Sequence, residues 1–194
     1  MTETPWYAAV EATARLTQGD LIWDCPLLRW KLAPFRVEGA GELEVLESAV
    51  EPFKADVIVM SQACDLEHDK VRNVALCSHY SLSTYRRLWE LEMKAQSQNP
   101  SDKAWKRHCD YIRAGYVWNL SMLNRGAIGE LTLEHRVVDF HEVYTMPRTL
   151  LESLLGQRGR HRLQLLSPYR DHLSQAFARF FMRVGLPQPI DTAW

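Results

Sequence analysis

Apolar positions along the chain change their period several times, and each change marks an element. The clearest run is Val57-Ile58-Val59-Met60, whose length and β-branched content suit a strand covered on both faces. A shorter run, Val71 to Cys77, follows the charged turn Asp65-Leu66-Glu67-His68-Asp69-Lys70, so the two read as a hairpin with its first strand central. Between them stand Ser61-Gln62-Ala63-Cys64-Asp65, polar residues and a thiol coming directly off a core strand. Sites are commonly built at such places, because a rigid strand fixes the side chains that follow it.

Upstream of this hairpin, Trp6, Val10 and Ala14 recur every fourth residue behind Pro5 and predict a helix over 5–16, ended by Gln18-Gly19-Asp20. Leu21-Ile22-Trp23 reads as a strand, with Pro26 expected to interrupt any regular pairing. Gly39-Ala40-Gly41 reads as a loop, and Leu43, Val45 and Leu46 as a short strand. Downstream, Tyr85, Leu88, Trp89 and Met93 fall at helical spacing until Asn99-Pro100-Ser101 breaks the pattern. Ser101 or Asp102 then caps a second helix carrying Trp105, Cys109 and Ile112, which makes a helical hairpin inserted between strands.

Strand character returns over Tyr116 to Leu120, over Glu134 to Tyr144 with Met146-Pro147 closing it, and over His161 to Leu166. Arg148 to Leu155 reads as one or two helical turns. Pro168 to Val184 reads as an amphipathic helix with Leu173, Phe177, Phe180, Phe181 and Val184 on one side, ended by Gly185 and Pro187. Short strands with an inserted helical pair and flanking helices add up to an α+β fold, with a small antiparallel, partly closed barrel as the expected architecture. A single domain over 1–190 is expected, with barrel segments at 19–80 and 116–166, the helical insertion at 81–115 and the C-terminal helix at 167–185.

Composition narrows the partners more than the fold. With 194 residues, 46% hydrophobic and including seven Trp, the chain holds enough apolar surface for one good core. A net charge of −1 excludes a surface that attracts nucleic acid everywhere, though not a local patch. No apolar run approaches the roughly 18 residues a membrane span requires, and the N-terminus lacks the basic-then-apolar order of a secretory signal. Cys25, Cys64, Cys77 and Cys109 are scattered without framework spacing, so reduced thiols and a cytoplasmic location are expected.

Three groups of residues carry candidate chemistry. Cys64, His68, Cys77 and His79 form a C-x3-H-x8-C-x-H series, to which His108-Cys109 would add. Such thiolates and imidazoles suit tetrahedral zinc; the alternative is a core Cys77, a half-buried Cys64 and exposed histidines. Cys64-Asp65 beside His68 offers a nucleophile and base, or simply a capped turn. Between Arg158 and Arg183 lie Arg158, Arg160, Arg162, Arg170, Arg179 and Arg183 against one acid, Asp171, with His161 and Tyr169 interleaved. That segment reads either as a surface that tracks phosphates and stacks bases, with Arg158, Arg160, Arg162, Tyr169 and Arg170 as its contacts, or as a solvated face or one salt-bridged to acidic segments such as Glu42 to Glu51.

The order of these elements is familiar. Gly19-Asp20-Leu21-Ile22-Trp23, an apolar strand ending in Ser61, Val74-Ala75-Leu76-Cys77-Ser78, and Val137-Val138-Asp139-Phe140 followed by Val143 and Leu150 resemble the PemK/MazF-like proteins over 19–80 and 116–155. The resemblance implies an SH3-like barrel and a toxin endoribonuclease of a bacterial stress or phage-defence system. Such enzymes cleave single-stranded RNA with no metal or other cofactor, a 2′-hydroxyl attacking the adjacent phosphate. By position, Arg29 takes the role of the family's arginine and Ser78 that of its Thr or Ser. Arg29 would stabilise charge at the phosphorus, and Ser78 would hydrogen-bond the phosphate or relay a proton. Where the family carries an Arg-Pro pair before its central strand, this chain has Ala55-Asp56. That departure keeps a second reading open: a non-catalytic module of the same ancestry that binds a protein partner, antitoxin-like or regulatory, through its helices. A homodimer is compatible with either.

Overall fold

The central hairpin forms as its apolar pattern dictates. In a computed structural model describing residues 4–31, 41–129 and 131–182, β3 (Val50–Val59) pairs antiparallel with β4 (Asn73–Ser81), Val57 opposite Ser78 and Val59 opposite Leu76. Alternation along β3 sends Val57 and Val59 into one core, with Ile22, Cys25, Leu27, Val74, Leu76, Met146 and Leu151. Ile58 and Met60 enter a second core on the opposite face, with Leu21, Cys77, Val138, Phe140, Leu163 and Leu173. A strand covered on both sides has no polar face, which is why its sequence is an unbroken apolar run.

Around this pair the sheet grows by antiparallel neighbours. β2 (Asp20–Trp30) lies beside β3, and β8 (Arg136–Pro147) beside β4. β5 (Leu120–Leu123) ends one side, while β9 (Arg162–Leu165) and then β1 (Tyr7–Val10) end the other. The resulting seven-stranded order is β1-β9-β2-β3-β4-β8-β5, and a separate ribbon pairs β6 (Gly126–Ile128) with β7 (Leu131–Leu133). The fold is α+β with an antiparallel sheet whose edge strands β1 and β5 do not pair with each other among the described residues. The small ribbon packs on β1 closely: a Cβ at Gly126 would stand 2.9 Å from the Tyr7 ring, so only glycine fits there.

Helices cover both faces of the sheet. α5 (Arg148–Arg158) lays Leu151 and Leu155 on the first core, and α6 (Tyr169–Phe181) lays Leu173, Phe177 and Phe180 on the second. Between β4 and β5 the chain makes the expected helical hairpin, α3 (Leu82–Ala95) and α4 (Asp102–Arg113). Each is capped by a serine: Ser81 Oγ accepts from the Thr84 N–H at 3.1 Å, and Ser101 Oγ from the Ala104 N–H at 3.2 Å. A third apolar cluster, Ile112, Leu120 and Val137 with Tyr85 and Val117, fastens the hairpin to the sheet. No described helix is long and apolar enough to cross a membrane.

Several local expectations change. Residues 7–10 are strand β1 rather than helix, because Tyr7 pairs opposite Leu165 of β9 and donates its hydroxyl to the Asn124 carbonyl at 2.6 Å. That tertiary pairing overrides the four-residue spacing of Trp6, Val10 and Ala14. Residues 42–49 form helix α1 (Glu42–Ala49) rather than a strand, with the Glu44 carboxylate accepting from the Gly41 N–H at 3.3 Å. Pro26 does pair, opposite Lys54, because β9 accompanies β2 only as far as Leu21. Beyond that point no described strand pairs with this edge of β2, and a residue without an N–H is tolerated there. A short helix, α2 (Ala63–Glu67), occupies part of the hairpin turn. The expected loop residues Gly39 and Ala40, and Val184, Gly185 and Pro187 at the end of the last helix, lie outside the described residues.

Candidate active site

Two breaks in strand register shape a large open cleft. Along β2 the pairing runs from Ile22 opposite Val57 to Cys25 opposite Ala55, so one extra residue is accommodated, and Asp24 takes φ +50°. Along β8, Cys77 faces Val143 while Ser78 faces Asp139, so Phe140, His141 and Glu142 are looped out of the ladder. Bulges of this kind re-aim side chains. Phe140 anchors the loop in the second core against Phe177, and Asp139 Oδ1 accepts the His141 N–H at 2.9 Å. Glu142 is thereby turned toward β4.

The cleft so formed has a volume of about 930 Å³ and is walled by β2, β3, β4, β8 and the start of α3. Arg29 and Ser78, which stand far apart in sequence, both line it. A chain of contacts joins them. Arg29 lies 5.1 Å from the centre of the Phe53 ring, and Phe53 packs at 5.4 Å on Tyr144. The Tyr144 hydroxyl donates to Glu142 Oε2 at 3.0 Å, and Ser78 Oγ donates to the same oxygen at 3.0 Å. An ionised carboxylate offers only acceptors, so the converging Ser78 and Tyr144 hydroxyls, with Tyr80 also hydrogen-bonded to Glu142, fix its position.

Arg29 itself is half exposed and paired with Glu51 at 2.7 Å. Ser78 is 1% exposed, on the floor, whereas Glu142 and Tyr144 are partly accessible. Burial first, then the hydrogen bond to Glu142 and its charge, pushes the Tyr144 phenol up to about 12, and burial, then the Glu142 charge, raises Tyr80. Both phenols therefore keep their protons at neutral pH.

Beneath this surface is a buried polar cluster. Arg136 donates from Nε to Nδ1 of His79 at 2.9 Å and from its terminal nitrogen to Asp56 Oδ2 at 2.5 Å. Asp56 also accepts the Asp24 N–H at 3.1 Å, which ties the β2 bulge to the floor. Because Nδ1 of His79 accepts, the proton belongs on Nε2, which finds no well-formed hydrogen bond among the described residues. Burial, then the neighbouring Arg136 charge, holds the His79 pKa well below the usual imidazole range. His79 is neutral.

The basic C-terminal residues have other employment. Arg162, 3% exposed, pairs with Asp20 at 2.9 Å and donates to the carbonyls of Glu11, Ala12, Ala14 and Arg15. Arg158 clamps the β2 bulge, donating to the Trp23 and Asp24 carbonyls at 2.6 and 2.5 Å. Tyr169 stacks on Trp6 at 3.8 Å, and Arg170 is half-buried beside Ser167 and Asp171. Arg160 is exposed and has no partner among the described residues. Arg183 lies outside them.

Nor does the fold gather the Cys/His series. Cys77 is sealed in the second core, its thiol pushed up to about 12 by burial and then by Asp139, while Cys64 and His68 are exposed on and just after α2. Among the described residues, no three His, Cys, Asp or Glu side chains are placed to hold a metal ion.

Glu142, Tyr144 and Arg136 are the site residues that sequence reasoning missed. Arg136 did carry a signal, since a charge heading the apolar run Val137-Val138 in a strand needs a buried partner. Glu142 carried none, because its direction depends on a bulge that breaks the strand period. Compared with known proteins, the chain matches no family model and no curated protein.

Proposed function

We propose that the chain is a divergent SH3-like barrel of the PemK/MazF type, opened between β1 and β5, that cleaves single-stranded RNA without a metal. One observation carries this reading. Arg29 and Ser78 line a single open cleft, linked through Tyr144 to a carboxylate held by hydroxyl donors. In the proposed reaction Glu142 takes the proton of the 2′-hydroxyl as that oxygen bonds to the adjacent phosphorus. The bond from phosphorus to the 5′-oxygen breaks, solvent protonates the departing oxygen, and a 2′,3′-cyclic phosphate remains. Arg29 exchanges Glu51 for the phosphoryl oxygens and stabilises the charge that builds there, two donors at a time. An exposed ion pair holds an arginine by only about 0–1 kcal/mol, so the exchange costs little. Ser78, on the floor, acts by positioning Glu142.

A second reading rests on the same pairing. With Arg29 engaged by Glu51, the cleft is a self-satisfied surface, and Leu88 and Leu91 stand exposed on α3 for a protein partner. Incubating the protein with mixed-sequence single-stranded RNA in EDTA, beside Arg29→Ala, separates the two. Cleavage lost in the variant supports the nuclease; intact RNA with a stoichiometric co-purifying protein supports the binding module. A cytoplasmic toxin in bacterial stress or phage defence would follow from the first outcome.

A further inference from the structure

A second cavity, of about 580 Å³, opens on the other side of Glu142, between the helical hairpin and the strands β5 and β8. Tyr80 and Glu142 line both cavities, so they form a wall shared by the two. The chemistry changes across that wall. On the far side the rings of Tyr85, Trp89 and His108 lie close to parallel: Trp89 and His108 at 5.6 Å and 23°, Tyr85 and His108 at 5.9 Å and 17°. The Tyr85 hydroxyl and His108 Nε2 meet at 3.0 Å, which locks the ring wall. Burial lowers the His108 pKa, so this wall carries no charge at neutral pH.

Three carboxylates line this second cavity, Glu92, Asp139 and Glu142, with His141 Nδ1 at 3.5 Å from Asp139 Oδ1 and no Lys or Arg in the lining. A phosphate is repelled there. A flat, uncharged ring that presents N–H donors is accepted, since stacking favours any base and carboxylates only accept. Asp139 uses Oδ1 for the His141 N–H and for Asn119 at 3.4 Å, leaving Oδ2 without a partner among the described residues.

We infer that this aromatic, acidic cavity is a nucleobase slot that takes a base flanking the scissile phosphate, guanine before the others. The inference rests on the ribonuclease reading and names its substrate preference. Guanine alone presents two adjacent donors, N1–H and the N2 amino group, and the cavity's carboxylates, Asp139 Oδ2 among them, supply the acceptors. The phosphate would stay in the Arg29 cleft while its base crosses the wall formed by Tyr80 and Glu142. The helical insertion, which lies outside the resemblance, thereby supplies the stacking wall.

Binding tests this without cleavage. A fluorescent 2′-O-methyl hexanucleotide, which lacks the attacking hydroxyl, would be titrated with one central guanine, inosine or uracil. The guanine oligonucleotide is expected to bind about 10-fold tighter than the uracil one, with inosine between, about 1.4 kcal/mol for the full difference. Asp139→Asn, which keeps an oxygen for the His141 N–H, is expected to erase that preference. Tyr85→Leu is expected to weaken all three oligonucleotides, while Tyr85→Phe retains the stacking. Equal affinity for the three, unchanged in Asp139→Asn, overturns the slot. So does competition by tetramethylammonium without base discrimination, which would mark an organic-cation pocket. Cleavage of RNA with no base preference would sink the slot and leave the nuclease standing; base-selective binding with no cleavage would do the reverse.

Discussion

Ser78 Oγ donates to Glu142 Oε2 at 3.0 Å across the point where the β4–β8 register breaks, Ser78 itself facing Asp139. In a regular ladder, residue 140 and not Val143 would face Cys77, and strict alternation would set the face of each residue that follows. The three looped-out residues abolish that constraint, sending Phe140 to the core and Glu142 to the cleft. The carboxylate therefore owes its place to a backbone irregularity, and its hydroxyl donors hold it there.

Arg29 is expected to be irreplaceable by lysine. Arg29→Ala and Arg29→Lys should both lower cleavage by about 100-fold or more, since lysine keeps a charge but not the planar fork that engages two phosphoryl oxygens. Thermal melting should hardly move, because the exposed Arg29–Glu51 pair contributes only about 0–1 kcal/mol. Rates in EDTA and melting curves on the same preparations check both halves.

Arg136 is expected to matter for stability more than for chemistry. Its side chain is 8% exposed, and it neutralises Asp56 while satisfying His79. Arg136→Met leaves that carboxylate without its buried partner and should cost about 3 kcal/mol, the lower end for breaking such a pair because Asp56 retains some water. Urea denaturation measures it.

Stability should fall as pH drops below the ordinary imidazole range. His79 is neutral in the folded chain and gains a proton in the unfolded one, so the unfolded state binds more protons below about pH 6.5. Stability is full above that pH and declines below it, by at most about 1.4 kcal/mol per pH unit for one such group. His108, also lowered by burial, adds to the same trend. His79→Gln, whose side-chain oxygen still accepts from Arg136, should flatten the slope between pH 6.5 and the carboxylate range. Denaturation midpoints across that interval are the readout.

How much of this was legible beforehand follows from what each signal depends on. Val57 to Met60, the serine cap of α4 and the stripe on α6 depend on local spacing and burial, and sequence carries both. Arg158 and Arg162 looked like a surface patch because composition cannot distinguish a solvated arginine from one that satisfies loop carbonyls. The five acceptors around Arg162 come from residues 11–20, more than a hundred positions away. Arg29 and Ser78 were reached through a resemblance in element order, and the cleft that both line was not visible in either residue's neighbourhood.

That distinction is itself testable. Arg162→Ala should destabilise the chain by about 3–5 kcal/mol, because it strands the fully buried Asp20 carboxylate. Arg160→Ala, an exposed change, should stay within about 0.5 kcal/mol in stability and weaken RNA binding alone. Paired melting and filter-binding measurements separate a structural arginine from a contact one.

The most direct test of the account is single-turnover cleavage of single-stranded RNA in EDTA by the native chain and by Glu142→Gln, with the product ends identified. The account predicts 2′,3′-cyclic phosphate ends from the native chain and a rate at least about 100-fold lower in the variant, with melting unchanged. Intact RNA at high concentrations of the native chain, or cleavage that Glu142→Gln leaves untouched, would contradict it.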